Sequence, residues 1–247
     1  MKNCKHTLCL AGSLAILFIA TGCQTTPRQA AQPASYLSLT ENIHQWRLPQ
    51  GRWQEIGGVH LAEDNEKAFV IEGGQGVLLN DPSQNTVNLI SHKEHGDVSL
   101  HVEFAVPKGS NSGVYLQARY EVQVLDSWGN IDVKHSDCGG IYQRWVDNTG
   151  FEGHAPKMNA SLPPGEWQSF DIIFRAPRFN AEGEKMQNAR FVKVIHNGVT
   201  IHENVQVSGP TRAATYDDEM ALGPLMLQGD HGPVAYRNIV MRPLNLD

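Results

Sequence analysis

Alternation of apolar and polar residues with a period of two dominates this chain and is clearest at 98–104 (VSLHVEF), 120–125 (YEVQVL) and 167–174 (WQSFDIIF). An extended backbone sends successive side chains to opposite faces, so each segment is expected to be a half-buried strand. Residues 191–196 and 199–203 flank Asn197-Gly198. That dipeptide accepts the positive φ angles of a type I′ turn, and the two segments are expected to form a hairpin. Turn punctuation recurs at Gly57-Gly58, Gly73-Gly74, Pro163-Pro164-Gly165, Gly209-Pro210 and Gly232-Pro233. No segment carries a long helical stripe. Many short strands separated by turns predict an all-β sandwich of two antiparallel sheets, of jelly-roll type.

The N-terminus breaks the pattern. Lys2 and Lys5 precede a charge-free run, 8–20, that ends at Ala20-Thr21-Gly22-Cys23. A membrane span needs about 20 apolar residues, so 1–22 reads as a signal peptide. It resembles a bacterial lipoprotein signal, in which small residues precede a cysteine that is acylated and becomes the mature N-terminus. Cys23 is then the expected lipidation site, although Ala20 stands where Leu is more usual; secretory cleavage near Cys23 is the alternative. Gln24 after the cysteine, rather than Asp, favours the outer membrane by the same resemblance, with the domain in the periplasm or at the cell surface. Residues 23–35, rich in Gln, Thr, Pro and Ala, read as the lipidated cysteine and a flexible tether. That leaves 36–247 as one domain long enough to build its own core.

Charge and cysteine content narrow the partners. The formal charge is −6, and loss of Lys2 and Lys5 with the signal makes it more negative, which argues against a nucleic-acid partner. Contact with a membrane is expected through the lipid anchor only. Of the four cysteines, Cys4 and Cys9 leave with the signal and Cys23 is acylated. Cys138 remains alone, so no intramolecular disulfide is available. It fits a small buried filler better than a nucleophile.

Candidate chemistry sits on the strand 120–125. There Glu121 and Gln123, with Arg119 before them, face away from Val122 and Val124 at a spacing of about 7 Å. With Asp126 they could build a sugar-facing site for hydroxyl recognition and proton transfer; a solvated strand face is the bland alternative. Concanavalin-like glycoside hydrolases carry acidic residues at i, i+2 and i+4 of such a strand. Here those positions read Glu121, Gln123 and Leu125, so the carboxylate pair of ordinary glycoside hydrolysis is missing.

Further on, Asp137-Cys138-Gly139-Gly140-Ile141-Tyr142-Gln143-Arg144-Trp145 presents Gln143 and Trp145 on one face, Trp145 offering a flat surface to a sugar ring or simply core. Lys157 could reach a cleft from its loop or stay exposed. His92, His95, His101, His135 and His231, with Asp132, Asp137 and Asp230, raise the question of a metal. None forms a diagnostic ligand motif, so no metal ligand is assigned; a divalent metal stays open and no other cofactor is expected. Gly229-Asp230-His231-Gly232 joins the strands 225–228 and 234–241, at its simplest as a hairpin turn.

Taken together and in order, several segments resemble the 3-keto-disaccharide hydrolase family, formerly domain of unknown function 1080. They are Asn111-Ser112-Gly113-Val114-Tyr115-Leu116, Tyr120 to Asp126, Gly140-Ile141-Tyr142, Pro164-Gly165-Glu166-Trp167, Asn197-Gly198, Leu227-Gln228-Gly229-Asp230-His231-Gly232 and Tyr236-Arg237-Asn238-Ile239. The resemblance covers about residues 46 to 244. It implies a concanavalin-like jelly roll acting on oxidised glycosides, and it transfers no catalytic motif.

A ketone at C3 of a pyranoside acidifies the C2 proton, so one base and one oxyanion stabiliser can expel the C1 substituent, and hydration completes a net hydrolysis. On this reading Glu121 or Asp126 is the base, and Arg144 or Lys157 stabilises the enolate. His231 protonates the leaving oxygen, imidazole being the side chain that titrates nearest neutrality. Gln123 and Arg119 hold hydroxyls, with Gln143 and Trp145 as further substrate contacts, and Arg119 could equally pair with Glu121. The main rival is a non-catalytic carbohydrate-binding, lectin-like lipoprotein.

Overall fold

The computed structural model describes residues 37–40, 43–47, 53–80 and 87–247, all within one unit, Ala34–Asp247. The expected signal peptide, the lipidation site Cys23 and the tether lie outside the described residues. In chain order the strands are β1 (Leu37–Ser38), β2 (Trp46–Arg47), β3 (Trp53–Ala62), β4 (Asn65–Asn80), β5 (Leu89–His95), β6 (Val98–Ala105), β7 (Asn111–Leu116), β8 (Tyr120–Leu125) and β9 (Arg144–Val146). There follow β10 (Thr149–Phe151), β11 (Gln168–Arg175), β12 (Arg178–Phe179), β13 (Lys185–Gln187), β14 (Ala189–His196), β15 (Val199–Val207), β16 (Gly223–Leu227) and β17 (Ala235–Pro243).

Two antiparallel sheets form a jelly-roll sandwich. One has eight strands in the order β15-β14-β11-β6-β17-β4-β3, with β1 also on β17; the other has five, β2-β5-β16-β7-β8. Alternation places the core between them: Leu100, Val102 and Phe104 of β6 and Phe170, Ile172 and Phe174 of β11 meet Val114 and Leu116 of β7 and Tyr120, Val122 and Val124 of β8. Burying one such side chain contributes roughly 1.5–3 kcal/mol, so this shared layer is the main source of stability in a domain without a disulfide. Cys138 is a free thiol sealed in it, and burial pushes that thiol up to about 12. The expected hairpin is β14–β15, turning at Asn197 (φ 48°) and Gly198 (φ 79°).

One connection differs from the sequence expectation. Residues 229–232 do not close a hairpin, because β16 lies in the five-stranded sheet and β17 in the eight-stranded one. The segment is a crossover at the rim of the sandwich, and Asn80 pins it. The Asn80 amide donates to the Gly229 carbonyl (3.1 Å) and the Gly232 carbonyl (2.5 Å) and accepts from the Val234 N–H (2.5 Å). Its side chain is buried, so truncation strands backbone groups without water. Asn80→Ala is expected to cost about 3 kcal/mol in urea unfolding; a loss below about 0.5 kcal/mol would show that the crossover is held otherwise.

Candidate active site

Glu121 and Gln123 stand on the outer face of β8, and both are buried, each with 3 % exposure. A half-buried edge strand would leave them in water. Two coverings remove it. Segment 139–142 pairs with the free edge of β8: the Gln123 N–H donates to the Gly140 carbonyl (2.8 Å), Gly139 N–H to the Gln123 carbonyl (2.8 Å) and Tyr142 N–H to the Glu121 carbonyl (3.2 Å). This approach needs glycine at 140, where a Cβ would lie 2.2 Å from the His135 carbonyl oxygen. The second covering is the loop 211–221, tied down by Thr211 N–H to the Arg119 carbonyl (2.8 Å) and Thr215 N–H to the Ala118 carbonyl (3.0 Å).

Between these coverings and the sheet lies a cavity of about 330 Å³, lined by Asn111, Tyr115, Glu121, Gln123, Tyr142, Arg212, Ala213, Gln228 and His231. Register explains the gathering. Tyr115 pairs with Glu121 and Gly113 with Gln123, so the outward residues of β7 and β8 share a face. Gly113 makes room for the carboxylate, since a Cβ there would sit 2.5 Å from Glu121 Oε1.

Burial is the main cause that pushes the Glu121 carboxyl up, to about 8; the charge of Asp230 adds to it, and a hydrogen bond with the Tyr115 hydroxyl opposes it. Burial, and then the charge of Glu121, raises Tyr115 well above its ordinary 10. Three amide oxygens that line the cavity, Asn111 Oδ1, Gln123 Oε1 and Gln228 Oε1, are buried without a protein donor among the described residues. Unpaired acceptors suit a ligand rich in hydroxyl donors.

The cation of the site is Arg212. Its guanidinium lies 4.1 Å above the Trp145 ring, and among the described residues it has no acidic partner. Its backbone is fixed by the N–H bond to the Gln143 carbonyl (2.8 Å), next to Ala213 in the left-handed region (φ 63°). His231 reaches the cavity from the crossover, with Nδ1 2.6 Å from Asp230 Oδ1.

Of the residues singled out in the sequence, Glu121, Gln123 and His231 come together here; the others do not. Asp126 closes turns, accepting from the Gly109 N–H (2.9 Å) and the Trp128 N–H (3.4 Å). Arg119 is a buried clamp: it bonds the Asp218 carboxylate (2.5 Å) and carbonyl (2.6 Å) and lies 4.7 Å from the centroid of the Tyr216 ring. It therefore pairs with Asp218 and not with Glu121. Lys157 forms an exposed pair with Glu203 (2.5 Å). Arg144 donates to Ser208 Oγ (2.6 Å), 5.0 Å from the Phe151 ring centroid. The Gln143 side chain packs on Gly150, and Trp145 holds Arg212 on its ring.

Sequence reasoning missed Asn111, Tyr115, Tyr142, Gln228 and Arg212 as site residues. The first two were findable, because Asn111 and Tyr115 keep the same period-two face as the carboxylate strand they pair with. Arg212, in an irregular loop, carries no such signal.

Among the described residues no group of three His, Cys, Asp or Glu side chains could hold a metal ion. A separate cavity of about 830 Å³ is lined in part by His95, Asp97, Leu222 and Met241. Its buried acid is already committed: Asp97 accepts from Arg178 (2.7 Å), the Ala176 N–H (2.9 Å) and the Leu246 N–H (2.8 Å). The smaller cavity, with a displaced carboxyl and unpaired acceptors, is the better candidate for chemistry.

A jelly roll with such a site defines a carbohydrate-active domain related to glycosyl hydrolases. The family profile described as 3-keto-alpha-glucoside-1,2-lyase-like domain matches residues 40–242, and the chain belongs to this family. Comparison with curated proteins gives no match. Among solved structures, a candidate glycosyl hydrolase from Parabacteroides distasonis ATCC 8503 is 27 % identical, with TM-score 0.59 over 85 % of this chain and 84 % of that one. Two further candidate glycosyl hydrolases from the same organism share the fold. One is 20 % identical, with TM-score 0.56 over 85 % of this chain and all of that one. The other is 15 % identical, with TM-score 0.52 over 85 % and 94 %.

Burying Glu121 has a cost that depends on pH. Its carboxyl titrates near 8 in the fold against an ordinary 4.5. The folded state therefore loses nothing below pH 4.5, loses stability progressively from there to about 8, and bears the full cost, a few kcal/mol, above it. Glu121→Gln is expected to raise Tm relative to the wild type, by more at pH 9 than at pH 5. An equal difference at both values would contradict the assigned burial.

Proposed function

We propose that this chain cleaves the glycosidic bond of 3-keto-glycosides and 3-keto-disaccharides, by C2 proton abstraction, elimination at C1 and hydration. The observation that carries the reading is one buried carboxyl, raised to about 8, in a cavity shared with an arginine that has no acidic partner among the described residues. A raised carboxyl is a stronger base than an ordinary one, and its removal from water suits abstraction next to a ketone. The other acid near it, Asp230, is engaged by His231. Among the described residues the cavity lacks the two free carboxyls that flank the bond in ordinary glycoside hydrolysis.

In the proposed sequence Glu121 takes the C2 proton, and the C–H electron pair becomes an enolate with its charge on the C3 oxygen. Arg212, exposed on one side and stacked on Trp145, lines the same cavity and offers that charge a fixed cation. Collapse of the enolate restores the C3 carbonyl, forms C1=C2 and breaks the C1–O bond. The electron pair leaves on the aglycone oxygen, which receives a proton from His231. Water then adds its hydroxyl at C1 and its hydrogen at C2, giving the free 3-keto sugar, while Glu121 releases its proton to solvent and His231 regains one from it. Asn111, Gln123 and Gln228 accept hydrogen bonds from the remaining hydroxyls. The family's description as a lyase-like domain supports the elimination half of this route.

Glu121→Gln is expected to lower turnover of a 3-keto-glucoside on the order of 100-fold or more, and the wild-type rate should rise with pH through the range near 8 in which Glu121 loses its proton. The unoxidised parent glycoside should not react. Cleavage of the parent at an equal rate would replace this reading with a conventional glycosidase, and tight binding without product would favour a sugar-binding module. Arg212→Gln is expected to lose roughly 100-fold in kcat, whereas Lys157→Gln should leave it unchanged. The reverse order would return the oxyanion role to Lys157.

A further inference from the structure

On the outer face of the larger sheet, away from the residues that line the catalytic cavity, Arg175 of β11 stands directly opposite Arg190 of β14. Like charges facing each other across a strand pair are destabilising unless something neutralises them. The neighbouring cations are already matched: Lys185 pairs with Glu219 and Arg178 with Asp97. Arg175 and Arg190 have no carboxylate partner among the described residues. Arg175 is 3 % exposed, and its guanidinium reaches only neutral acceptors, the Gln187 side chain and the Asn188 carbonyl (3.0 Å). The Nε atoms of both arginines are buried and unpartnered. Both line a cavity of about 310 Å³ together with Lys185, Gln187, Asn188 and Gln206.

A buried guanidinium beside a half-buried one, each with an unused Nε donor, calls for an anion with several acceptor oxygens. We propose that this cavity is a binding site for a dianionic tetrahedral oxyanion, phosphate or sulfate, free or esterified to a sugar, held between Arg175 and Arg190. Two unmatched positive charges favour a dianion over a single carboxylate, and a tetrahedral group offers separate oxygens to the two guanidinium groups. The site abuts the loop that carries Arg212, since Lys185 also donates to the Ser208 carbonyl (2.8 Å). An anion there would brace the covering of the catalytic cavity from behind.

Titrating inorganic phosphate into the full chain at constant ionic strength, balanced with chloride, is expected to raise Tm with the logarithmic dependence of one-site binding, by about 3–6 °C at ten times Kd. Arg190→Gln should abolish the response. Because it also removes a like-charge contact, that variant should melt no lower than the wild type without phosphate, and lower than it at phosphate well above Kd. A parallel titration with glucose 6-phosphate separates the sources. A response to inorganic phosphate alone assigns the free ion, a response to both assigns an esterified group, and either supports the site. An equal response to phosphate and chloride, or an Arg190→Gln chain that responds as the wild type does, overturns it. If Arg190→Gln does not fold, calorimetric titration of the wild type with phosphate decides. Saturable one-to-one heat supports the site, and its absence overturns it.

Discussion

Everything distinctive about this domain follows from keeping one carboxyl, that of Glu121, out of water on the outer face of an edge strand. Edge strands are usually wet on one face and unpaired along one side. Here both openings are closed, the edge by 139–142 and the face by 211–221. Closure costs stability, because a carboxylate in such a place loses its hydration. The fold sustains that cost with a core drawn from both sheets and with local devices that serve the closure: Gly113 and Gly140, where a side chain would collide, and the Arg119–Asp218 clamp.

Positive charge is distributed by the same logic. Arg119, Arg144 and Lys157 each have a nearby partner, respectively Asp218, Ser208 and Glu203, and among the described residues the arginine that lines the cavity is Arg212 on its Trp145 platform. An arginine without an acidic partner among the described residues, lining the same cavity as a carboxyl that is mostly protonated near neutrality, avoids a self-neutralising ion pair. Both groups stay available to substrate. In the proposed reaction the negative charge moves from base to enolate, and the fixed guanidinium meets it where it arrives.

Much of this was legible in the sequence because strand periodicity is a local signal. The alternation at 98–104, 120–125 and 167–174 gives β6, β8 and most of β11, and Asn197-Gly198 gives the β14–β15 turn. It also put Glu121 and Gln123 on one face. What periodicity does not contain is which loop returns over that face. Burial of Glu121 depends on backbone bonds from residues about 20 and 90 positions later in the chain, so a solvated strand and a sealed one read alike. The cation could not be chosen for the same reason. Arg119 lies next to the carboxylate in sequence and is spent on Asp218, while Arg212 arrives through an irregular loop. The crossover 229–232 looked like a hairpin because sequence adjacency does not reveal that β16 and β17 belong to different sheets.

The central claim is that Glu121 removes a proton from carbon rather than assisting direct displacement at C1. Incubating a 3-keto-glucoside with the protein in deuterated water and reading C2 of the substrate and product by NMR tests it most directly. Elimination and hydration predict deuterium at C2 of the released 3-keto sugar, introduced by the wild type and not by Glu121→Gln. Rapid cleavage that leaves the original C2 hydrogen in the product would contradict the account.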